Sequence, residues 1–328
     1  MGKLRVKYLI IAAVFVAVSV LGGVIAYLQK DTVVFAAFRH GSGTEQDPYR
    51  IYNDNQMYNL QEISASSASK ERTKGKHFKL MKDVKATYNT GETTYGFYGT
   101  LDGNGHTVTL DGYPMFYIVK ENATVKNATV KRNADIYEGM PFYLLAYYVN
   151  KQAVVENCVF TSEINIFVPT NMSASSVVCA TCCVFNNGTI RGCTANVNVS
   201  MQYVSNENHG KYGKIYISGM ATGGAGEGVI DSCKVNGDMS LITASILNFY
   251  VGGIAVHNNM VSDCEYNGNI QIKYRSGKVY PYVYGICMEK VTDCVFNGDI
   301  KLDFVPYKYG IGMNGSTYTH NGEIIIPQ

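Results

Sequence analysis

Apolar residues recur at fixed offsets along this chain, within a ten-residue phrase that is repeated several times. The phrases Val261–Ile270 (VSDCEYNGNI) and Val291–Ile300 (VTDCVFNGDI) share their apolar positions, a cysteine, and an asparagine followed by a glycine. The same pattern, sometimes degenerate, surrounds the further centres Cys158, Cys193, Cys233, Ala128 and Tyr318. Because so short a repeat cannot bury its own apolar face, we expect neighbouring copies to stack on one another.

Counted from the central residue, the apolar positions lie at offsets −3, 0, +2, +6 and +8, for example Val291, Cys294, Phe296, Ile300 and Leu302. Alternate residues of an extended chain share one face, whereas a helix would need steps of three and four. Successive centres lie 24 to 40 residues apart, which suits one coil of three short strands with variable turns. The pattern predicts an all-β fold, a parallel β-helix or solenoid, with one coil per copy.

Cysteine usage supports the stacking. The chain has nine cysteines, and five of them share the central position: Cys158, Cys193, Cys233, Cys264 and Cys294. A free cysteine packs like a small hydrophobic residue, so this column predicts a ladder of buried thiols. Disulfide bonds, which are common in exported proteins, are the alternative.

An asparagine column follows the cysteine column by three residues and includes Asn236, Asn267 and Asn297. Glycine comes next in each case, and an Asn-Gly pair is typical of a bend with positive φ. Asparagine amides stacked in register can bond to one another along the column. We therefore interpret these residues as a structural ladder.

A second motif precedes each cysteine phrase and contains a tyrosine followed four residues later by methionine or isoleucine. The tyrosines of this motif are Tyr216, Tyr250, Tyr282 and Tyr307. A spacing of four places both residues on one face of a strand. The motif therefore predicts a packed tyrosine stack rather than a sugar-binding platform.

The two ends of the repeat region differ. Asn53 with Gln56 three residues later resembles a capping box, and it predicts a short helix over Asp54–Ser64 that covers the first coil. Residues Ser64–Lys76 are polar and predict an exposed loop. At the other end, Ile324–Ile326 forms an apolar edge followed by Pro327, and such an edge would permit end-to-end self-association.

The N-terminus carries an export or anchoring signal. Lys3, Arg5 and Lys7 precede the apolar run Tyr8–Leu28, which is long enough to span a bilayer. The sequence leaves open whether this segment is a cleaved signal peptide or a retained transmembrane anchor. Both alternatives place the rest of the chain outside the cytoplasm, at the cell surface or secreted.

We accordingly divide the chain into residues 1–36 (signal peptide or anchor), 37–80 (N-terminal cap) and 81–328 (β-helix). The formal charge is +2 for the whole chain. It falls to −1 without the first 36 residues, which carry Lys3, Arg5, Lys7, Lys30 and Asp31. A nearly neutral domain gives no sign of a nucleic-acid partner.

Candidate catalytic groups are few. Carboxylates recur five residues after the central position, as Asp238, Asp299 and Glu323. A polysaccharide lyase or glycosidase would need such groups to converge near a basic residue or a cation, and a calcium site in this column would need converging oxygens. Asparagines interrupt the column, however, and Asx residues beside a bend are expected to hydrogen-bond within the turn. We predict no catalytic residue, no metal site and no cofactor.

Three further phrases, Gly41–Ile51, His77–Asp83 and Phe97–Val108 (FYGTLDGNGHTV), together with the later Gly-Gly-Ile motif, resemble bacterial surface proteins of the GLUG-repeat type. The resemblance covers about residues 41–327. It implies a right-handed parallel β-helix that is exported and serves as an adhesin or a structural surface module. That family has no shared catalytic motif to transfer.

The sequence therefore favours an exported, cell-surface β-helix that acts as an adhesion or interaction module and is not an enzyme. Its partners would be surface glycans or proteins of host or neighbouring cells, with the membrane contacted through an uncleaved N-terminal helix. Two alternatives stay open: a polysaccharide-active enzyme, and a structural spacer or assembly subunit. The adhesion role rests on the resemblance and on export rather than on a site.

Overall fold

The computed structural model describes residue 38 and residues 40–327, apart from 89–93, 138–140, 169–176, 204–213, 225–227, 244–247, 258–259 and 275–279. The predicted signal or anchor segment Tyr8–Leu28 lies outside these residues. Within the described part of the chain, no helix is both long enough and apolar enough to cross a membrane.

The described residues form a parallel β-helix. Their strands pair in parallel and belong to four sheets of nine, fourteen, five and four strands, here called sheets I to IV. The coils that begin at Val154 and Thr189 run through sheet I, then sheet II, sheet III and sheet IV, before the chain enters sheet I of the next coil. Among the described residues, the coils that begin at Val229 and Met260 have no strand in sheet IV. The coil therefore has more strands than the three predicted from the spacing.

Sheet I contains, in spatial order, Tyr49–Ile51, His77–Leu80, Thr100–Asp102, Thr124–Lys126, Val154–Glu156, Thr189–Arg191, Val229–Asp231, Met260–Ser262 and Val291–Thr292. The first arm of sheet II contains Val84–Ala86, Thr107–Leu110, Thr129–Lys131, Val159–Val168, Thr194–Tyr203, Lys234–Asn236, Glu265–Asn267, Cys294–Asn297 and Tyr318–His320. Its second arm adds Ala134–Ile136, Met239–Thr243, Ile270–Tyr274, Ile300–Leu302 and Ile324–Ile325.

Sheet III contains Val177–Cys179, Lys214–Ser218, Asn248–Gly252, Tyr280–Tyr284 and Lys308–Gly310. Sheet IV contains Ile118–Val119, Ala146–Val149, Cys183–Asn186 and Ala221–Gly223.

The predicted register between copies is present in the strand pairing. The +2 column pairs directly from coil to coil, through Phe160, Ala195, Val235, Tyr266 and Phe296. All five side chains are fully buried. The alternating pattern therefore places one side chain per coil at the same point of a continuous interior, as the sequence predicts.

Positive φ occurs mainly at the turn between sheets I and II and not at the predicted Asn-Gly bend. The residue with positive φ lies immediately before the central column, as in Asn157 (53°), Ser232 (52°), Asp263 (50°) and Asp293 (51°). These short polar residues tolerate the left-handed conformation better than most others. Among the glycines of the Asn-Gly bend, for which positive φ was predicted, only Gly237 (124°) has it.

The close approach of neighbouring coils, rather than a positive φ, explains why glycine occupies the other positions of this bend. A Cβ atom at Gly268 would lie 2.0 Å from the carbonyl oxygen of Gly237, and one at Gly298 would lie 1.9 Å from that of Gly268. Two earlier coils have Ser162 or Val197 at this position, and there sheet II continues as the unbroken strands Val159–Val168 and Thr194–Tyr203. The glycine therefore allows a bend in which successive coils approach closely.

A helix covers the first coil, as predicted. Helix α1 (Asp54–Ser64) begins after Asn53, whose side chain accepts a hydrogen bond from the backbone N–H of Gln56. Met57 and Leu60 of this helix are fully buried. The predicted loop after α1 is partly wrong, because a second helix, α2 (Ser69–Thr73), forms there with both of its end residues buried.

Candidate binding surface

The central cysteines form a column of hydrogen bonds in the interior. The backbone N–H groups of Cys193 and Cys233 each donate to the Sγ atom of the next cysteine along the column, at 3.4 Å. The thiol of Cys233 in turn lies 3.6 Å from the carbonyl oxygen of Ile190. All nine cysteines of the chain are free and buried, so the column acts here as hydrogen-bonded packing.

Native thiols are expected to resist alkylation. Hydrogen bonds between neighbouring thiols, followed by burial, raise the pKa of Cys193 and Cys233, and burial raises that of Cys179 to about 12. The hydrogen bond with Cys264 lowers the pKa of Cys294, so the protection of that thiol depends on its burial. Since the thiolate is the reactive form and all nine thiols are buried, neutral-pH labelling of native protein should be negligible and labelling in denaturant complete. Mass spectrometry of iodoacetamide-treated protein measures both. Rapid labelling of several cysteines in the folded protein would contradict the buried column.

The asparagine column is a second ladder. The Nδ2 group of Asn236 donates to Asn196 at 2.9 Å, that of Asn267 to Asn236 at 2.9 Å, and that of Asn297 to Asn267 at 2.7 Å. Asn321 extends the series by donating to Asn297 at 2.7 Å. Each amide therefore bridges two coils on the outside of the bend.

The candidate carboxylates also lie in a column rather than around a common point. Asp238 accepts the backbone N–H of Asn269 at 2.6 Å, and Asp299 accepts that of Glu323 at 3.0 Å. Between them, Asn269 accepts the backbone N–H of Asp299 at 3.0 Å. The oxygens of Asp238 and Asp299 are thus used to join successive coils.

One basic group accompanies this column. The ammonium group of Lys301 lies 2.9 Å from the carboxylate of Asp299, and this contact, together with the Glu323 N–H, lowers the pKa of Asp299. Both groups of the pair are solvent-accessible, so the bridge contributes little stability. No group of three or more metal-binding side chains was found in the residues that the structure describes.

The tyrosines of the second motif form a ladder on the outer surface of sheet III. The rings of Tyr216 and Tyr250 stack at a centroid distance of 4.8 Å, and those of Tyr250 and Tyr282 at 4.9 Å. Tyr307 meets Tyr282 edge-on at 5.3 Å and is 59% exposed. We call Tyr216, Tyr250, Tyr282 and Tyr307 the outer tyrosine ladder.

The outward position of these tyrosines contradicts the prediction that each shares a strand face with the residue four positions later. The residues four positions later, Met220, Ile254 and Ile286, belong to the interior core, whereas Tyr216, Tyr250 and Tyr282 pack against a separate cluster. The chain turns between the two positions, at glycines such as Gly253. There a Cβ would lie 1.9 Å from the carbonyl oxygen of Gly285. A spacing of four indicates one face only when the strand is continuous.

The ladder lines a concave corner between sheets III and IV. The rings of Tyr216, Tyr250 and Tyr282 pack against a cluster of Val256, Tyr284 and Met288, which are buried outside the main core. Val256 and Met288 follow the turn and the tyrosines precede it. Because side chains from both arms of the turn meet on the outside, the turn is concave toward solvent.

A histidine and a glutamate lie at the rim of this corner. The Nδ1 atom of His257 is 3.2 Å from a carboxylate oxygen of Glu289, and the two side chains are 40% and 41% exposed. The imidazole ring also lies 5.9 Å from the ring of Tyr250. Burial, followed by the nearby Glu289 carboxylate, raises the pKa of Tyr284. Aromatic and titratable groups therefore meet here.

His257 and Glu289 were not predicted as a pair, because no short spacing in the sequence connects them. The signal was nevertheless present in the repeat. His257 and Glu289 each stand four residues after the glycine of a Gly-Ile pair, Gly253 and Gly285. Residues at the same offset in adjacent repeats lie one above the other in neighbouring coils, and His257 and Glu289 are therefore in contact.

Comparisons with known proteins give limited guidance. No protein-family model matches the chain. A stretch of 147 residues is 26% identical to a "Putative Gly-rich membrane protein" of Evansella cellulosilytica, and the match covers 39% of this chain but only 16% of that protein. A solved structure, of a "putative immunoglobulin A1 protease" from Bacteroides ovatus, has 16% identity and a TM-score of 0.48 over 88% of this chain and 87% of that one. Neither similarity assigns the chain to a family or an activity.

Proposed function

We propose that this protein is an exported, non-catalytic interaction module of the cell surface, either membrane-anchored or secreted. The observation that carries the proposal is the contrast between two outer surfaces. The carboxylates Asp238 and Asp299 are engaged in holding coils together, whereas the concave corner presents partly buried aromatic rings beside His257 and Glu289. The first surface maintains the scaffold and the second is suited to contact a partner.

We also propose that the chain is a right-handed β-helix of the GLUG-repeat type. Support comes from the Gly-Ile motif, in which Gly253 packs against the next coil with no room for a side chain. The matched relative is named a membrane protein, which agrees with a location in the cell envelope. The expected partners are surface glycans or proteins of host or neighbouring cells.

A polysaccharide-active enzyme is the second candidate, and the pair of His257 and Glu289 is the observation that favours it. A histidine oriented by a carboxylate could act as a general base, with a nearby tyrosine as acid. Tyr284 is buried and its pKa is raised, so its hydroxyl stays protonated at neutral pH. The expected substrates would again be glycans.

A spacer or assembly subunit is the third candidate. The last strands, Lys308–Gly310, Tyr318–His320 and Ile324–Ile325, each pair with one neighbour among the described residues. Apolar side chains near this end, such as Val305 and Ile325, are exposed. Oligomers that form in solution without any external ligand would support this role.

The test uses the full chain in a detergent that has no sugar headgroup. The protein is applied to a glycan array and to intact bacterial and epithelial cells, and soluble polysaccharides are assayed in parallel for new reducing or unsaturated ends. We expect saturable binding and no release of products. Turnover that is lost in His257→Asn would overturn the non-catalytic proposal, and binding to neither glycans nor cells would overturn the interaction role.

A further inference from the structure

We propose that basic side chains of the first coils bind the anionic headgroups of a lipid bilayer and hold the far end of the β-helix away from the membrane. The inference goes beyond the proposed interaction function and rests on its membrane-anchored alternative. Its basis is the segment of residues 70–85, which carries seven basic and two acidic residues. We call the basic ones the basic band: Lys70, Arg72, Lys74, Lys76, Lys79, Lys82 and Lys85.

The basic band lies on the outside of the molecule. Lys79 belongs to the sheet I strand His77–Leu80 and Lys85 to the sheet II strand Val84–Ala86, and in both strands the residues on either side are buried. Because side chains alternate along a strand, both lysines point outward. Within the part of the chain that the structure describes, no member of the band forms an ion pair. Its charges are therefore available to an external partner.

The acidic residues of the first coils do not neutralise the band. They are Glu45, Asp47, Asp54, Glu62, Glu71 and Asp83. Asp47 pairs with Arg50 at 3.2 Å, and Asp83 accepts the backbone N–H of Thr107 at 2.9 Å and lies 3.3 Å from His106. Residues 37–88 contain nine basic and six acidic side chains, and they keep a formal charge of +3.

Formal charge is distributed unevenly along the axis of the β-helix. Residues 37–132 contain thirteen basic and ten acidic side chains, whereas residues 133–328 contain eleven basic and fifteen acidic ones. The first part therefore carries +3 and the second −4, although their sum is only −1. Since successive copies stack in chain order, an anionic surface would attract the first coils and repel the last ones.

The predicted membrane segment would keep the first coils near a bilayer. Its apolar run ends at Leu28, and Phe38 is fully buried, with its ring 5.6 Å from that of Tyr49 and 5.3 Å from that of Phe78. The chain between Leu28 and Phe38 spans at most about 36 Å when fully extended. Because Phe78 is next to Lys79 on the same strand, this connection leads directly to the basic band.

The composition of the band favours a lipid surface over a single bound phosphate. Six of its seven residues are lysines, whose ammonium groups are point charges on flexible side chains, whereas arginine recognises a defined phosphate through two parallel hydrogen bonds. The band also follows the outside of the first coils from helix α2 through sheet I to sheet II. Lysines spread in this way attract a layer of anionic headgroups with little demand on geometry.

The experiment measures how close each end of the β-helix lies to a bilayer. The full chain is reconstituted in nanodiscs of phosphatidylcholine, alone or with about 30% phosphatidylglycerol, that contain rhodamine-labelled lipid as energy acceptor. A donor dye is attached through Thr87→Cys, beside the band, or through Ile325→Cys, at the far end. The native thiols do not interfere, because they are buried.

Two triple variants separate the band from net charge. The first reverses three charges of the band, in Lys79→Glu, Lys82→Glu and Lys85→Glu. The matched control reverses three exposed lysines of later coils, in Lys273→Glu, Lys290→Glu and Lys308→Glu. Both variants change the formal charge by the same amount, so a different response identifies the position of the contact.

We expect phosphatidylglycerol to raise energy transfer from the donor at residue 87 at least about twofold, and salt at about 0.5 M to reverse this rise by screening. Transfer from residue 325 should not rise, because the nine strands along the first arm of sheet II separate the two ends by about 38 Å. The band variant should lose the lipid effect, and the later-coil control should keep it.

An equal rise at both donor positions, an equal loss in both triple variants, or no effect of phosphatidylglycerol on the unmodified chain would overturn this inference. Binding of soluble polyphosphate to the band without a lipid effect would also overturn it, in favour of a soluble polyanion. The glycan and cell assays do not depend on the lipid composition, so the proposed interaction function would survive such a failure if binding persists there.

Discussion

Gly298→Ala is expected to destabilise the protein by about 3 kcal/mol or more, near the upper end for overpacked sites. The added Cβ would lie 1.9 Å from the carbonyl oxygen of Gly268 in the neighbouring coil. Both contacting groups belong to the stacked bend, so relief requires that two coils move apart. That movement would also strain the Asn297–Asn267 hydrogen bond. The effect is measured as the shift of the urea-unfolding midpoint, followed by circular dichroism.

Gly310→Ala is the matched control. Its Cβ would have no atom closer than 3.5 Å, the carbonyl oxygen of Gly312, and the residue does not have a positive φ. The same chemical change should therefore alter stability by less than about 1 kcal/mol. Equal midpoints for Gly298→Ala and Gly310→Ala would show that the close approach of the coils is not present in solution.

Tyr266→Ala is expected to cost about 3 to 5 kcal/mol, the range for large aromatic side chains removed from a core. Tyr266 is fully buried and stacks on Phe296 at 5.3 Å. Its hydroxyl donates to the carbonyl oxygen of Gly237 at 3.0 Å. Truncation leaves a cavity between coils and removes the hydrogen-bond donor of that carbonyl group.

Tyr266→Phe separates these two contributions. The ring and its stacking remain, and only the hydroxyl is lost, which should cost about 1 to 2 kcal/mol for a buried acceptor left without its partner. Urea unfolding followed by circular dichroism compares the two variants with the unmodified protein. If Tyr266→Ala were no more destabilising than Tyr266→Phe, Tyr266 could not lie inside the stack.

The scaffold was largely predictable because the same interior positions recur in every coil. One residue per coil must fill each interior position, so columns such as Phe160, Val235 and Phe296 are visible in the sequence as fixed offsets. Helix α1 was predictable for a local reason, since Asn53 and Gln56 satisfy backbone groups at its start. Both signals come from residues that are close in sequence or that occupy the same position in each repeat.

The predictions that were wrong concern features that are set by contacts between coils. The glycines of the Asn-Gly bend look like residues chosen for positive φ, whereas Gly268 and Gly298 are required by the carbonyl group of the coil beside them. The prediction of the face on which the tyrosines lie was wrong for a related reason. A turn between Tyr250 and Ile254 separates two residues that a continuous strand would hold on one side.

The candidate binding surface was only partly accessible from the sequence. The tyrosine repeat was visible, but its exposure depends on the concave turn between sheets III and IV. The carboxylates were visible as a column, but their use in joining coils requires coordinates. His257 and Glu289 are 32 residues apart in the chain, and only the stacking of two coils brings them together.

Interspin distances test the stacked architecture most directly. The outer column Asp135, Asn165, Ser200, Ser240, Gln271, Lys301 and Ile325 pairs coil by coil. Spin labels at engineered cysteines would join Asp135 to Ser240, Lys301 or Ile325, since the native thiols are buried. At about 4.8 Å per coil, we expect backbone separations of about 14, 24 and 29 Å, increasing in that order. Distances that do not increase with the number of coils would contradict the β-helix.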